Sequence, residues 1–362
     1  MGEASSGSIY DSLRKKGVSR RDFMKFCSLM AATLALPAGG AVKIARALEK
    51  AKKPTLVWLE FQDCAGNTES FLRANDPDVV RIVLDILSVD YHETIMAPAG
   101  KQAEKSLADV VKNQKGKYLV VVEGAIPLKD GGVYCTVGGR AAVDIAREVC
   151  GNSLATIAMG ACALDGGIPA AAPNPTGAVG VKDAVKGITL INLPGCPANV
   201  VNLTGTIVHF LTFGSLPLTD SMGRPLFAYG RRIHDACERR SHYDAGRFVQ
   251  AWGDDGHKKG WCLYQMGCKG PETFKNCPAQ KWNDGTSWPV QAGHGCIGCA
   301  APHFWDTMTP FYKRLEHVPG FGVEANADKF GAGLAIATAA GLAAHRIVRA
   351  SKKKKSSEEE EK

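Results

Sequence analysis

Leu154-Ala155-Thr156-Ile157-Ala158-Met159-Gly160-Ala161-Cys162 is the stretch that decides the fold. Leu154 to Met159 is a short run without charge, the pattern of a strand buried on both faces. A glycine ends it, and a cysteine follows at once. The same arrangement recurs. Thr55-Leu56-Val57-Trp58-Leu59 reads as a strand and leads to Cys64. Ile188 to Leu193 reads as another and runs into Pro194-Gly195-Cys196-Pro197. Tyr118-Leu119-Val120-Val121-Val122 is a further strand, and Ile82 to Leu87 is read as one more. Helical spacing separates them, as in Gln102 to Val111 and Arg140 to Val149. Alternation of this kind implies an α/β domain with a doubly wound parallel sheet of flavodoxin-like type over residues 54–200. Cys64, Cys162 and Cys196 then share one sheet edge, beyond the carboxyl ends of the strands, where such folds bind ligands.

The C-terminal third carries a second array. It reads His234-x2-Cys237, Cys262-x5-Cys268, Cys277 and Cys296-x2-Cys299. One histidine and six cysteines are too many ligands for a single zinc, which takes four. They suit two iron–sulfur clusters side by side, in a loop-rich, partly helical domain over residues 201–320. Adjacent clusters mean electrons in transit.

The chain has 362 residues and twelve cysteines, enough for two medium domains. A disulfide framework is disfavoured, because several cysteines follow strands or sit among Gly, His and Pro. The formal net charge of +8 lies partly in the terminal segments. Aromatic residues interleaved with a basic stripe are absent, so no nucleic-acid partner is expected.

Both ends read as targeting devices. Ser19-Arg20-Arg21-Asp22-Phe23-Met24-Lys25 fits a twin-arginine export signal, followed by the apolar stretch Phe26 to Ala41 and a small-residue cleavage site at Ala45-Arg46-Ala47. Residues 1–47 are expected to be absent from the mature protein. Phe330 to Ala344 is apolar and rich in Gly and Ala, is interrupted by His345 and Arg346, and precedes Lys352 to Lys355. Residues 328–350 are read as a C-terminal membrane anchor and 351–362 as a charged tail left on the cytoplasmic side.

Longer motifs carry a family resemblance. They are Pro173-Asn174-Pro175-Thr176-Gly177, Leu193-Pro194-Gly195-Cys196-Pro197, His242-Tyr243-Asp244-Ala245-Gly246, Gly260-Trp261-Cys262-Leu263-Tyr264, Gly267-Cys268-Lys269-Gly270-Pro271 and Gly293-His294-Gly295-Cys296-Ile297-Gly298-Cys299. With them the chain resembles the small, electron-transfer subunit of a membrane-bound, periplasm-facing nickel–iron uptake hydrogenase. The resemblance implies two 4Fe–4S clusters and one 3Fe–4S cluster in a line. Cys64, Cys162 and Cys196 match the proximal 4Fe–4S site. His234, Cys237, Cys262 and Cys268 match the distal 4Fe–4S site. Cys277, Cys296 and Cys299 match the medial 3Fe–4S site, with Pro289 at the vacant corner.

The chain departs from the family at one place. The usual proximal motif is C-x-x-C, and here it reads Cys64-Ala65-Gly66-Asn67. A neutral amide is a poor iron ligand beside thiolate, so the fourth proximal ligand stays open among Asp63, Asn67 and Glu69. The two extra thiols of oxygen-tolerant relatives would fall at Gly66 and Gly167 and are missing, so tolerance by that mechanism is not expected. Cys27 belongs to the signal, and Cys135 and Cys150 are expected to be buried packing.

The resemblance implies no catalytic residue in this chain. A separate large subunit would hold the nickel–iron centre and split hydrogen. Electrons would leave through the three clusters to a membrane cytochrome b or a quinone-linked membrane subunit, in a higher-order heteromer. The alternatives are an iron–sulfur subunit of another exported oxidoreductase without nickel, a small subunit of a proton-pumping quinone reductase, and a zinc scaffold.

Overall fold

The computed structural model describes residues 8–74, 82, 86–315 and 327–360. Five strands, β1 (Thr55–Glu60), β2 (Ser88–His92), β3 (Leu119–Glu123), β4 (Ala155–Met159) and β5 (Leu190–Leu193), pair in parallel in the order β2-β1-β3-β4-β5. This is the doubly wound flavodoxin-like order. Successive residues face opposite layers. Trp58, Val121 and Ile157 enter one core, and Val57, Val120 and Ala158 enter the other.

The expected strand at Ile82 to Leu87 does not form among the described residues. Ile82 and Ile86 are helical and buried, and the Leu87 N–H donates to the Ile82 carbonyl at 2.9 Å; residues 83–85 lie outside the described residues. The edge strand begins at Ser88 instead. A short apolar run suits a buried helical turn as well as a strand. The true strand, Ser88-Val89-Asp90-Tyr91-His92, is half polar because it has one neighbour only.

Helices α5 (Lys101–Asn113) and α6 (Ala142–Gly151) cover the second core through Leu107, Val110, Ile145 and Val149. The first core is covered by α4 (Gly66–Leu72) and α8 (Val200–Phe213), with the short α7 (Ala161–Asp165) following β4. The expected boundary at residue 200 falls on the first turn of α8. Leu203, Ile207 and Val208 of this helix are buried in the first core.

The segment expected to be an export signal is helical among the described residues. It forms α1 (Ile9–Lys15), α2 (Arg20–Thr33) and α3 (Gly40–Leu48). Ser19 caps α2, its hydroxyl accepting from the Asp22 N–H at 3.1 Å. Phe23, Met30, Ile44 and Leu48 are buried in the same core as Leu203 and Ile207.

After Phe213 the chain runs through loops and single helical turns around a small core of Ile233, Val249, Leu263, Trp288 and Val290, in which Cys277 and Cys296 also sit. The last element, α9 (Ala327–Glu360), is continuous through His345 and Arg346. Its Gly331–Ala350 segment is 20 residues long with a mean hydropathy of 1.3 and none of it buried. At about 1.5 Å per residue that length matches a hydrocarbon layer.

Candidate metal centres

The ends of β1, β4 and β5 deliver the first three thiols to one edge. Two backbone bonds stitch the loops together: Gly160 N–H to the Leu193 carbonyl at 3.0 Å, and Ala161 N–H to the Gly195 carbonyl at 2.8 Å. Burial pushes the Cys162 thiol up to about 12, and Cys196 and Cys64 nearby add to the shift. Burial likewise raises Cys196 to about 11, with Cys299 and Cys64 as further causes. Such thiols ionise when a metal cation replaces the proton. Two glycines leave room beside them. A Cβ on Gly167 would lie 2.9 Å from Cys162 Sγ, and one on Gly66 would lie 3.1 Å from Cys64 Sγ.

The three candidates for the fourth ligand have different surroundings. Asn67 is buried and turned to protein groups. Its Nδ2 donates to Glu123 Oε1 at 3.1 Å, and its Oδ1 accepts from the Ala198 N–H at 2.8 Å. Glu69 is exposed and bonds Arg73 Nε at 3.1 Å along α4. Asp63 stands beside Cys64, and its Oδ2 accepts from the Ala65 N–H at 3.0 Å. Solvent reaches Asp63, yet the surrounding protein pushes its carboxyl up to about 6, aided by Glu123 and Glu60. Oxygens of Glu60, Asp63 and Glu123 all lie within 4.8 Å of one another.

Sequence reasoning missed Glu123. It is fully buried at the end of β3, on the same edge as the cysteines. It accepts from Trp58 Nε1 (3.2 Å), the Asn67 N–H (2.7 Å), the Thr68 N–H (3.0 Å) and Thr68 Oγ1 (2.7 Å). The signal was available: Leu-Val-Val-Val closes on a carboxylate at a ligand-binding edge.

In the second domain His234, Cys237, Cys262 and Cys268 line one cavity of about 20 Å³, together with Arg239 and Tyr243. The His234 ring sits edge-on to Tyr243, with centroids 4.6 Å apart. Burial, then Arg240, lowers the imidazole to about 4, which keeps it neutral and able to donate a lone pair near pH 7. Burial raises Cys262 to about 12 and Cys237 to about 11.

Cys277, Cys296 and Cys299 line a larger cavity of about 470 Å³, and Pro289 lines it too. Cys196 from the first domain opens into the same space. Lys275, which sequence reasoning also passed over, is buried in its wall. On the other side, Cys268 Sγ accepts from the Cys296 N–H at 3.3 Å. Neighbouring thiol groups of the three sets therefore adjoin. Cys27 and Cys150 are buried in the two sheet cores, and Cys135 packs against the second.

Comparison with known proteins finds matches along both halves of the chain. The family model of the NADH ubiquinone oxidoreductase 20 Kd subunit matches residues 64–210, and that of the C-terminal part of the NiFe/NiFeSe hydrogenase small subunit matches residues 229–312. The uptake hydrogenase small subunit of Azotobacter vinelandii is 46% identical over 344 residues, covering 95% of this chain and 96% of that protein. The quinone-reactive Ni/Fe-hydrogenase small chain of Wolinella succinogenes is 47% identical over 344 residues, covering 93% and 97%. A solved [NiFeSe]-hydrogenase chain of Dm. baculatum superposes with a TM-score of 0.69 at 35% identity, covering 73% of this chain and all of that one. The quinone-reductase likeness stops with the first domain, whereas the hydrogenase relatives extend over both. The chain therefore belongs to the family of nickel–iron hydrogenase small subunits, the iron–sulfur electron-transfer members of a hydrogenase heteromer.

Proposed function

We propose that this subunit holds three clusters in a line and relays electrons from hydrogen oxidation in a large subunit to a membrane cytochrome b or a quinone-linked subunit. Cys64, Cys162 and Cys196 hold the proximal 4Fe–4S cluster. Cys277, Cys296 and Cys299 hold a medial 3Fe–4S cluster, with Pro289 at its open corner. His234, Cys237, Cys262 and Cys268 hold the distal 4Fe–4S cluster. The observation that carries this reading is contiguity. Cys196 shares a cavity with the medial thiols, and Cys268 accepts a hydrogen bond from Cys296.

The donor sets fit the groups. Nine thiols and one imidazole divide into sets of three, three and four, and nearly all are partly or wholly withdrawn from solvent. When bound, the clusters supply one-electron storage. The chain fixes their order and surroundings. His234 contributes a neutral donor where a thiolate would add negative charge, which favours the reduced state at the exit end.

For localisation we propose export by the twin-arginine route to the periplasmic face, with α9 as the membrane anchor. Arg20 is largely exposed at the start of α2, accessible to an export receptor. Ala47 lies in the last turn of α3, so cleavage there requires α3 to unwind. The quinone-reactive small chain of Wolinella succinogenes supports a quinone-linked partner.

Iron counting with electron paramagnetic resonance on the purified heteromer tests this reading. A 3Fe–4S signal with two 4Fe–4S signals is expected. Absence of the 3Fe–4S signal overturns the medial assignment, and zinc in place of iron overturns the relay.

A further inference from the structure

Two lysines of the second domain are buried, and their charges are met differently. Lys269 is 1% exposed, and its ammonium donates to the carbonyl oxygens of Pro310 and Lys313. Lys275 is 2% exposed, yet among the described residues its Nζ has a single acceptor, the Pro197 carbonyl at 3.4 Å. No carboxylate among them pairs with it. The Trp282 ring lies 5.3 Å from the ammonium, a weak cation–π partner. A buried ammonium served this poorly is costly unless an anion faces it.

The surroundings identify the anion. The cavity that Lys275 lines is shared by Cys196, Cys277, Cys296 and Cys299. The backbone is shaped to bring the charge there. Gly195 adopts φ +152°, and a Cβ on it would come within 2.2 Å of Lys275 Nζ. The ammonium thus rests against the glycine that precedes Cys196. From the other side Lys275 precedes Cys277 by two residues.

We propose that Lys275 is a fixed positive charge between the first two cluster sites, a positioning residue that makes both easier to reduce and eases electron passage from the Cys196 side to the Cys277 side. The inference rests on the iron–sulfur reading above. No bond forms or breaks in the step. One electron leaves the cluster held by Cys64, Cys162 and Cys196 and arrives at the one held by Cys277, Cys296 and Cys299. Cys196 of the first set and Cys277, Cys296 and Cys299 of the second line the cavity in whose wall this ammonium is buried, a low-dielectric setting where a unit charge acts strongly.

The test is a redox titration followed by electron paramagnetic resonance on the intact heteromer, with Lys275→Met, Lys275→Gln and Lys275→Arg. Removing the charge is expected to shift the medial and proximal midpoint potentials downward, and Lys275→Arg is expected to restore much of the shift. If the neutral variants lose medial iron while Lys275→Arg keeps it, the charge requirement also stands. Unchanged potentials in a fully loaded neutral variant overturn the proposal, as does equal iron loss in all three variants, which marks packing. Missing cluster signals in the unaltered protein would instead overturn the iron–sulfur reading itself.

Discussion

Asn67 and Glu123 are joined twice: the Asn67 backbone N–H and its Nδ2 both donate to Glu123 Oε1, at 2.7 and 3.1 Å. The Asn67 Oδ1 meanwhile accepts from Ala198 N–H. The amide braces β3, α4 and the loop after Cys196 against one another. Asn67→Ala strips a donor from a buried carboxylate and leaves the Ala198 N–H unmet. A cost of about 2–3 kcal/mol is expected, read as a lowered Tm of the purified complex. An unchanged Tm would show that the brace contributes nothing.

The same brace bears on the fourth proximal ligand. Asn67 is committed to protein partners and Glu69 to Arg73, whereas Asp63 stands next to Cys64 at the sheet edge. Asp63→Ala is therefore expected to lower proximal iron or alter the proximal spectrum, with Glu69→Ala unchanged. Iron analysis with Mössbauer spectroscopy checks this. The reverse pattern would assign the ligand to Glu69.

Much of the sheet was legible because its central strands are apolar on both faces, and the Gly-x-Cys and Pro-Gly-Cys endings mark where each stops. The edge strand was not, because Ser88-Val89-Asp90-Tyr91-His92 lacks that pattern and the apolar run before it buries Ile82 and Ile86 as helix. The row from His234 to Cys299 and the three thiols at the sheet edge stand out in the sequence, whereas their division into three sets comes from the family resemblance. Lys275 and Glu123 were hidden for another reason. Lysine and glutamate are ordinarily surface residues, and only the folded chain reveals that both are buried.

An acidic group near this edge gives stability a pH dependence. Burial, with Glu60, Asp63 and Glu104 nearby, raises the Glu93 carboxyl to about 7 from its ordinary value of 4.5. The folded state thus binds its proton more tightly than the unfolded chain. The contribution is fully present below about pH 4.5 and is lost as pH rises through about 7. Glu93→Gln keeps an acceptor for the Glu60 N–H, bonded at 3.3 Å, and removes the charge. The variant is expected to gain about 2 kcal/mol over the parent at pH 8 relative to pH 5. Tm measured across that range tests it, and parallel curves would refute it.

The C-terminal helix predicts where the protein resides. Leu334, Ile336, Leu342 and Ile347 are all more than 60% exposed on α9. An apolar helix of this length without cover is costly in water and favourable in a bilayer. A chain ending before Ala327 is expected to move to the soluble fraction while retaining its clusters. Retention of the shortened chain on membranes would assign attachment to other contacts.

Pro289 offers the sharpest check on the medial set. It lines the cavity of Cys277, Cys296 and Cys299, and its carbonyl accepts from the His294 N–H at 2.9 Å. Proline has no N–H, so replacing it removes no backbone bond and leaves that carbonyl in place. The cost is chiefly the freer unfolded chain, under about 1 kcal/mol. Pro289→Cys supplies a thiol at the same position in the wall. A fourth iron is expected to enter, turning the 3Fe–4S signal of the oxidised protein into a 4Fe–4S signal of the reduced one. An added negative thiolate ligand with the extra iron should also move the potential. A spectrum identical to the parent, in a protein with full iron content, would mean that residue 289 does not face the open corner.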